Sequence, residues 1–300
     1  MGVGAFFYFF MTLARQSPCK INLLLNILGR RPDGYHELET VFHPVGLADR
    51  LEFTRLDRGI QLTCNHPGLP TDATNLVYRA AAAFFCAAGI ATGVRIQLEK
   101  NIPLAAGLGG GSSNAAAALL GLNELFAQPL AADRLFELGA SLGSDVPFFL
   151  QSKPALGTGR GERIEALDFF PALGGVYVLL IHPGFGVSTA WAYQELRQHP
   201  EALHGQPGRA RRLVSRLQNG DLRSAAGDFY NSLEVPVLRK YPLLALFQEF
   251  LREQGAPVTL MSGSGSTTYA LLPNEPAATA LLNQFKTRFG ESHWTAVAPV

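Results

Sequence analysis

Alternating hydrophobic and polar positions predict strands in the first hundred residues of the chain. The segment CKINLLLNIL, Cys19 to Leu28, alternates and then becomes continuously apolar, which is typical of a half-buried strand. The turn GRRPDGYH follows it, and further strands are predicted at Val41 to Val45 and at Arg50 to Phe53. In GVRIQLEK, which ends at Lys100, the apolar residues alternate onto one face of another strand.

Helical periodicity with its usual capping residues separates these strands. Residues 75–88 predict a helix that is capped by Asn75 or Thr74 and ends at Gly89. A second helix is predicted from Ala131 to Leu142. Farther along, the pattern predicts a strand at GVYVLLIHP, a strand-turn segment at VTLMSGSGSTTYALL, a last short strand, and helices near Ser188 to Arg197, Ala210 to Leu217, Lys240 to Gln254 and Glu275 to Phe289.

The order of these elements favours an α+β fold in two domains. Strands and helices alternate without a strict strand–helix–strand repeat, which argues against a doubly wound parallel sheet. The glycine-rich patch GTGRGERI, residues 157–164, is typical of a hinge and places the boundary near residue 155. We therefore expect an N-terminal extension at 1–16 outside the core fold, a first domain at 17–155 and a second domain at 156–300.

The start of the chain is strongly hydrophobic. The segment VGAFFYFFMTLA, Val3 to Ala14, has no basic residues before it and no small-residue cleavage site after it, and it is too short to span a membrane. It is interpreted as an upstream extension, with Met11 as a candidate natural start. A membrane-targeting segment is the alternative.

Composition and charge exclude several classes of function. With 47% hydrophobic and 16% charged residues among 300, the chain can bury a large core. The formal net charge of +1 and the lack of a long basic run argue against binding to a nucleic-acid backbone, and GRARRLVSR at 208–216 is interpreted as a solvated helix face. The odd number of cysteines, without ligand spacing, favours reduced thiols in the cytoplasm over disulfides or a structural zinc site.

One segment, NIPLAAGLGGGSSNAAAALL at 101–120, contains more glycine than a helix tolerates. It follows a predicted strand and precedes a helix predicted from Ala115 to Phe126. Glycines 107, 109, 110 and 111 can adopt positive φ and expose their amides, and Ser112, Ser113 or Asn114 is expected to cap the helix. Free amides and the positive end of a helix dipole form an anion site, and phosphate is the natural ligand. Neither a Walker A lysine nor the third glycine of a dinucleotide fingerprint is present, and a tight turn without a ligand is the alternative.

Two charged residues in apolar surroundings are the candidates for chemistry. Lys20 lies within a predicted apolar strand, where an unpaired cation is rare. Asp145 precedes Pro147 and is either a helix cap or the carboxylate that accepts a proton from an alcohol. A lysine–aspartate pair beside a phosphate loop suits phosphoryl transfer to a hydroxyl. A second glycine turn, MSGSGSTTYALL from Met261, suggests a cleft lined by both domains.

Three segments resemble, in order, the three motifs of the GHMP kinases: SPCKINLLLNIL, PLAAGLGGGSSNAAA and LMSGSGSTTYALL. This family of small-molecule kinases includes galactokinase, homoserine kinase and mevalonate kinase, and the resemblance covers nearly the whole chain from Ser17. It implies an N-terminal domain like the second domain of ribosomal protein S5, a ferredoxin-like C-terminal domain, and an active site between them. RPDGYHELETVF, GSDVPFFL, GRGE and IHPGFGVST are most similar to those members that phosphorylate the 2-hydroxyl of cytidine diphosphate methylerythritol in the non-mevalonate route to isoprenoid precursors.

The resemblance also implies roles for individual residues. Lys20 and Asp145 match the catalytic pair, Tyr35 and His36 match the cytosine-binding pair, and Asn22 matches a substrate contact. ATP and Mg²⁺ are implied as cofactors, without identified metal ligands, and the substrate is a small molecule with no nucleic acid, membrane or obligate protein partner. The residues implied to bind the nucleotide are Pro103, Leu104, Ala105, Ala106, Gly107, Leu108, Gly109, Gly110, Gly111, Ser112 and Ser113, and those added on the substrate side are Tyr193, Gly263, Ser264 and Gly265.

The residues themselves agree with a site for a pyrimidine. An aromatic ring at Tyr35 can stack on the base, and His36 has both a donor and an acceptor for its edge, although a turn tyrosine beside a solvated histidine is the ordinary alternative. The resemblance implies Tyr193 as the aromatic ring on the opposite face of the base, and Trp191, two residues earlier, is the alternative. The chain departs from the family at two positions, with Cys19 for the usual alanine and Ser232 where aspartate is common. A non-catalytic nucleotide-binding protein and a different GHMP kinase remain the alternative functions.

Overall fold

The computed structural model of the protein describes residues 12–203 and 205–300. In this part of the chain, seven strands form a first sheet in the order β3-β4-β2-β1-β8, and β5 and β6 are joined to it through β2. The strands of this sheet are β1 (Thr12–Arg30), β2 (His36–Leu56), β3 (Gly59–Cys64), β4 (Gly93–Glu99), β5 (Ala155–Thr158), β6 (Arg163–Ala166) and β8 (Tyr230–Asn231).

The second sheet has four antiparallel strands among the described residues. In the order β11-β7-β10-β9 they are β11 (Trp294–Pro299), β7 (Tyr177–His182), β10 (Thr268–Leu272) and β9 (Val258–Met261). Numbered within the domain, this order is 4-1-3-2, and helices connect its first strand to the second and its third to the fourth. That is the ferredoxin-like arrangement that the family resemblance implies. The α+β prediction, with its two sheets, is confirmed.

Helices cover the outer faces of both sheets. Residues of α1, α2, α3 and α4 share a buried cluster with β2 and β4, and residues of α10 and α11 share one with β7 and β10. The helices are α1 (Leu76–Ala88), α2 (Gly110–Leu125), α3 (Ala132–Leu142), α4 (Val146–Gln151), α5 (Thr189–Glu195), α6 (Pro200–Leu203), α7 (Arg209–Asn219), α8 (Leu222–Ala225), α9 (Glu234–Lys240), α10 (Pro242–Glu253) and α11 (Glu275–Phe289).

Strand β1 is more deeply buried than the sequence pattern predicts. Every residue from Cys19 to Ile27 is buried, so this stretch is not half-exposed. Ile21 and Leu23 pack with Val178 and Leu180 of the second sheet, which covers the face of β1 that we expected to meet solvent. The continuous apolar run is therefore the pattern of a central strand covered on both faces.

The two strands predicted at 41–45 and 50–53 are a single strand, β2. Its register with β1 shifts between Pro18, which faces Ala48, and Cys19, which faces Val45. The intervening residues of β2 form a β-bulge, which bends a strand without ending it. The proline and glycine of this segment therefore mark an irregularity within a strand rather than a turn.

Two expected boundaries differ from the observed elements. Residues 12–16, assigned to an extension, pair with Thr54 to Arg50 as the first part of β1, whereas residues 1–11 lie outside the described residues. The expected hinge at 157–164 is the hairpin of β5 and β6, with positive φ at Gly159 and Gly161, and β5 pairs with β2. A boundary near residue 155 stays a prediction, and the pairing of β5 with β2 favours a later one.

Other details agree with the sequence analysis. The cysteines of the chain are free thiols, and Cys19 is buried as a small apolar residue. The arginine-rich stretch lies on α7, where Arg211 pairs with Glu165 and Arg212 with Asp228. Ser232 fills its position by accepting a hydrogen bond from the Ile27 amide at 3.0 Å. No helix among the described residues is long and apolar enough to cross a membrane.

Candidate active site

The glycine loop leads directly into α2, which begins five residues earlier than predicted. Its N-cap is Gly109, whose φ is +70°, and no side chain caps the helix. The predicted cap at Ser112, Ser113 or Asn114 is therefore wrong. These residues lie inside α2, where the hydroxyl of Ser113 accepts a hydrogen bond from Ser17 and the amide of Asn114 is committed to other buried groups. The first amides of α2 are left without intrahelical or side-chain partners.

Positive φ in this loop is confined to three residues, Ala105, Gly107 and Gly109. The expectation that Gly110 and Gly111 also take positive φ is wrong, because both belong to the first turn of α2. Their lack of side chains still matters at Gly110, where an added Cβ would lie 3.1 Å from the Ile102 side chain. Exposed amides, the positive end of a sixteen-residue helix and the missing cap are the features that favour the binding of an anion at this point.

A cavity of about 700 Å³ lies in front of this loop. Lys20, Asn22 and Asp145 line it from the side of the first sheet, and Tyr193 and residues 263–265 line it from the side of the second. The structure thus brings the two glycine turns and the charged pair into one cleft. Of the residues predicted for the nucleotide loop, Ser113 alone is not among the described residues lining the cavity.

Lys20 lies at the centre of the cleft. Its Nζ is 4.0 Å from Oδ2 of Asp145 and donates hydrogen bonds to the Asn22 side chain at 2.5 Å and to the Gly107 carbonyl at 3.0 Å. Burial lowers the pKa of Lys20, and the Asp145 carboxylate opposes this shift. Asp145 occupies the N-cap position of α4 but makes no capping hydrogen bond, and about a third of its side chain is exposed. Its carboxylate therefore faces the lysine and the cavity rather than its own helix.

The second glycine turn contacts the first through backbone and small side chains. Ser262 donates a hydrogen bond to the Gly107 carbonyl at 2.9 Å, and an added Cβ at Gly263 would lie 3.3 Å from Nζ of Lys20. Asn22 is fixed from the same side, because the buried Tyr269 hydroxyl donates to its carbonyl at 2.9 Å. The position of the catalytic candidates thus depends on both sheets.

The predicted base-binding residues lie at the edge of the cavity. The rings of His36 and Tyr193 are 5.3 Å apart, and Tyr193 lines the cavity while His36 does not. Nε2 of His36 is buried without a hydrogen-bond partner among the described residues, and burial, Arg30 and Arg197 lower the pKa of this histidine. Burial and then Asp145 raise the pKa of Tyr193.

Tyr35 and Trp191 have different surroundings. Tyr35 is 56% exposed, and the guanidinium of Arg160 lies 4.5 Å from the centre of its ring. Trp191 is not among the described residues that line the cavity, and the Lys240 ammonium lies 3.8 Å from the centre of its ring. Of the two aromatic candidates on α5, the one that faces the cavity is Tyr193.

Sequence reasoning missed several residues of the cleft. Arg160 lines it from the hairpin that we interpreted as a hinge, and Lys100 and Thr189 line it as well. The hydroxyl of Thr189 lies 2.7 Å from that of Ser264 and joins α5 to the second glycine turn. The position of Arg160 between two glycines in GRGE is the one feature of the sequence that could have indicated a binding residue here. Nothing in the local pattern distinguishes Lys100 from the other lysines.

A divalent cation would find few protein ligands in this cleft. Among the described residues, no three histidine, cysteine, aspartate or glutamate side chains form a cluster that could hold a metal ion. Asp145 is the only carboxylate among the described lining residues, and Ser112 contributes a hydroxyl. This set fits Mg²⁺ bound mainly through phosphate and water, the usual state of that ion beside nucleotides.

Family models match both parts of the chain. Residues 75–153 match the GHMP kinases N terminal domain, and residues 200–291 match the GHMP kinases C terminal domain. A 4-diphosphocytidyl-2-C-methyl-D-erythritol kinase of Geobacter sp. (strain M21) is 42% identical over 91% of this chain and 94% of its own length. The enzyme of the same name from Synechococcus sp. (strain JA-3-3Ab) is 44% identical over 87% of this chain and 85% of its own.

Solved structures agree with this assignment. The crystal structure of a 4-(cytidine 5'-diphospho)-2C-methyl-D-erythritol kinase superposes with a TM-score of 0.81 at 38% identity, over 96% of this chain and 100% of that one. A homoserine kinase from Cytophaga hutchinsonii, at 20% identity and a TM-score of 0.75 over 95% of this chain and 93% of its own, shares the fold. The chain belongs to the GHMP kinases, in the family of the 4-diphosphocytidyl-2-C-methyl-D-erythritol kinases.

Proposed function

We propose that the protein transfers the γ-phosphoryl group of ATP to the 2-hydroxyl of 4-diphosphocytidyl-2-C-methyl-D-erythritol, a step of the non-mevalonate route to isoprenoid precursors. The observation that carries the proposal is the Lys20–Asp145 pair, 4.0 Å apart, in the same cavity as the uncapped start of α2. A phosphate site and an alcohol-activating carboxylate in one cleft are the parts that phosphoryl transfer needs. The relatives at 42% and 44% identity, named for this substrate, support its choice.

The nucleotide is bound by the backbone of the glycine loop. The amides at the start of α2 donate to its phosphate oxygens, and the positive end of the helix dipole favours their charge. The Ser112 hydroxyl, which lines the cavity, would be a protein ligand for Mg²⁺, and the ion when bound would neutralise part of the phosphate charge. The other members of the loop, Pro103, Leu104, Ala105, Ala106 and Leu108, form the wall of the nucleotide site.

Asp145 and Lys20 act on the alcohol. The Asp145 carboxylate orients the hydroxyl and accepts its proton as the oxygen forms a bond to the γ-phosphorus. The bond between that phosphorus and the bridging oxygen breaks, and ADP leaves. The Lys20 ammonium offsets the negative charge that develops on the attacking oxygen and on the phosphoryl group. Asn22, which accepts a hydrogen bond from Lys20, holds the ammonium in place.

The cytosine end of the substrate binds between the two domains. Tyr193 and His36 form an aromatic edge to the cavity, and the unpartnered Nε2 of His36 is a buried polar atom that a base could satisfy. Tyr35 adds an exposed ring, which contacts Arg160 of the cavity lining but does not itself line the cavity. We further propose that the enzyme acts in the cytoplasm on this small molecule, with no nucleic-acid, membrane or obligate protein partner.

A coupled assay of ADP release against a panel of alcohols tests this function. The panel contains 4-diphosphocytidyl-2-C-methyl-D-erythritol, galactose, homoserine and mevalonate. We expect turnover of the cytidine compound, with product phosphorylated at its 2-hydroxyl. Faster turnover of another alcohol would assign the chain to a different GHMP kinase activity, and ATP binding without any transfer would favour a non-catalytic nucleotide-binding protein.

Asp145→Asn tests the mechanism. Because the Asp145 side chain makes no capping bond, asparagine should preserve the fold while it removes the charge. We expect kcat to fall by roughly 10²–10⁴-fold, the usual contribution of a general base. Asp57→Asn, at an exposed position outside the cavity, is the matched control and should retain wild-type kinetics. Thermal melts must accompany both variants, and a folded Asp145→Asn enzyme within a few-fold of the wild-type rate would exclude this role.

A further inference from the structure

A buried carboxylate outside the cavity lining, Asp49 of β2, lies beside the entrance to the glycine loop. Its side chain is fully buried and accepts hydrogen bonds at both oxygens. Oδ1 accepts from the amides of Asn101 and Ile102 at 2.7 and 2.9 Å, and Oδ2 accepts from Nδ2 of Asn114 at 2.8 Å and from Nζ of Lys100. Asp49 therefore connects the end of β4, the entrance to the glycine loop and the first turns of α2.

The ammonium of Lys100 has one more N–H donor than its hydrogen bonds to Asp49 and Asn114 require. Its side chain is 3% exposed, and Nζ donates to Asp49 and to Oδ1 of Asn114 at 3.1 Å. An ammonium group has three N–H donors, and the third has no partner among the described residues. Lys100 nevertheless lines the cavity of the active site, and its Nζ lies 3.2 Å from the position that a Cβ on Gly110 would occupy.

The ammonium of Lys100 lies close to the start of α2, and Asp49 is the anion that neutralises it there. The start of a helix carries a partial positive charge, so a neighbouring cation is repelled. Asp49 offsets that repulsion, but a desolvated ion pair often stabilises a fold no better than apolar side chains of the same shape. If phosphate occupies the loop, the third N–H of Lys100, which lies beside the free amides of α2, can donate a hydrogen bond to a phosphate oxygen.

We propose that Lys100 donates to the phosphates of the bound nucleotide and that Asp49 is the positioning residue for its ammonium. The inference rests on the proposed function, because it assumes that the glycine loop binds ATP. In this arrangement the nucleotide meets two buried ammonium groups, with Lys20 at the reacting end and Lys100 at the start of α2. The alternative is a structural cross-link in which Asp49 and Lys100 only hold the loop entrance.

The double variant Asp49→Asn/Lys100→Gln separates the two roles. It removes both charges together, so no unpaired buried charge remains and the net charge of the chain is unchanged. Affinities for a non-hydrolysable ATP analogue and for adenosine are measured by calorimetry. We expect the analogue to bind about 10- to 100-fold more weakly, the usual effect of one charged hydrogen bond, and adenosine to bind as it does to the wild type. Analogue affinity within two-fold of the wild type, or an equal loss for both ligands, would overturn the proposal.

A measurement on the wild type makes the test independent of the variant's folding. The side-chain ¹³Cε resonance of Lys100 should shift when the ATP analogue is added and stay in place with adenosine. No shift with the analogue, at concentrations that saturate the protein, would also overturn the proposal. Absence of any binding of the analogue to the wild type would instead contradict the proposed function, so the two failures are distinguishable.

Discussion

At the scale of single residues, the site depends on a lysine that has lost nearly all contact with water. Burial favours the neutral form of Lys20, whereas Asp145 favours the charged form. The net result is a pKa below the 10.5 of an ordinary lysine. An ammonium group that loses its proton more readily than usual makes activity sensitive to alkaline pH.

The first prediction follows from this shift. The profile of kcat/KM against pH should have an alkaline limb below pH 10.5, because the proposed charge stabilisation is lost when Lys20 is deprotonated. Lys20→Arg should abolish that limb in whatever activity remains, since arginine stays protonated. The measurement is the rate of ADP release from pH 6 upward with the coupling enzymes in excess. A flat profile up to pH 10.5 would contradict the role of Lys20.

The edge of the cavity gives a second prediction at this scale. His36→Ala and Tyr193→Ala should each raise KM for the cytidine substrate by about 5- to 150-fold, the equivalent of 1–3 kcal/mol of stacking, with little change in ATP affinity. Tyr35→Ala should act in the same direction. Trp191→Phe is the control, because the Trp191 ring contacts Lys240 rather than the cavity. An effect of Trp191→Phe as large as that of Tyr193→Ala would contradict this assignment.

At the scale of elements, the helices and strands that are predicted correctly are those whose sequence pattern depends only on nearby residues. Helix α1 begins after Asn75, whose side chain accepts from the Val77 amide, and ends at Gly89 in the left-handed region, as its capping residues predict. Helix α11 and the alternation of β4 are also confirmed. These features are set by residues a few positions apart.

The sequence-based predictions are wrong where contacts with a distant part of the chain determine the local structure. Ser113 and Asn114 could cap a helix, but Ser17 and Asp49 from the first sheet supply them with better partners inside it. The bulge in β2 follows from its pairing with β1, and the burial of both faces of β1 follows from the second sheet. In the same way, Tyr193 and Trp191 are indistinguishable in sequence until the position of α5 is known.

The start of α2 gives the third prediction. Gly109 has φ +70°, and an added Cβ would lie 2.8 Å from the Phe149 ring and 3.1 Å from Cγ of Lys20. Gly109→Ala should therefore displace Lys20 and lower kcat at least 10-fold, with a loss of stability of about 1–2 kcal/mol from the left-handed backbone. Gly111→Ala, whose nearest neighbour would be 3.6 Å away, should fold like the wild type. Equal melting temperatures and rates for the two variants would contradict this account of the loop.

At the scale of the whole molecule, the two sheets meet at the candidate active site through hydrogen bonds from side-chain hydroxyls to backbone carbonyls. Ser262 donates to the Gly107 carbonyl, and Tyr269 of the second sheet donates to Asn22 of the first. Glu39 of β2 accepts hydrogen bonds from the Gly208 and Ala210 amides and so caps α7. The relative position of the domains is therefore fixed where the chemistry is proposed.

The fourth prediction tests this contact. An added Cβ at Gly107 would lie 2.1 Å from the Ser262 carbonyl, so Gly107→Ala must separate the two glycine turns. Gly175 has the same φ, +76°, with no heavy atom within 4 Å of its added Cβ, and Gly175→Ala measures the cost of the backbone conformation alone. We expect Gly107→Ala to lower the melting temperature more than Gly175→Ala and to reduce kcat/KM at least 10-fold. Equal effects of the two variants would mean that the contact between the turns is dispensable.

The pairing of β1 with β2 connects the two ends of the proposed site. Phe42 faces Asn22, close to the proposed point of phosphoryl transfer, and His36 at the base-binding edge lies six residues away in the same strand. At about 3.3 Å per residue these six residues of β2 cover at most about 20 Å, and the register shifts between Asn22 and Leu24 and between Ile27 and Gly29 of β1 bend the strands within that span. We therefore expect kcat/KM to fall for a nucleoside that is joined to the alcohol through one phosphate instead of two, because its base and its hydroxyl would lie closer together than the two ends of the proposed site.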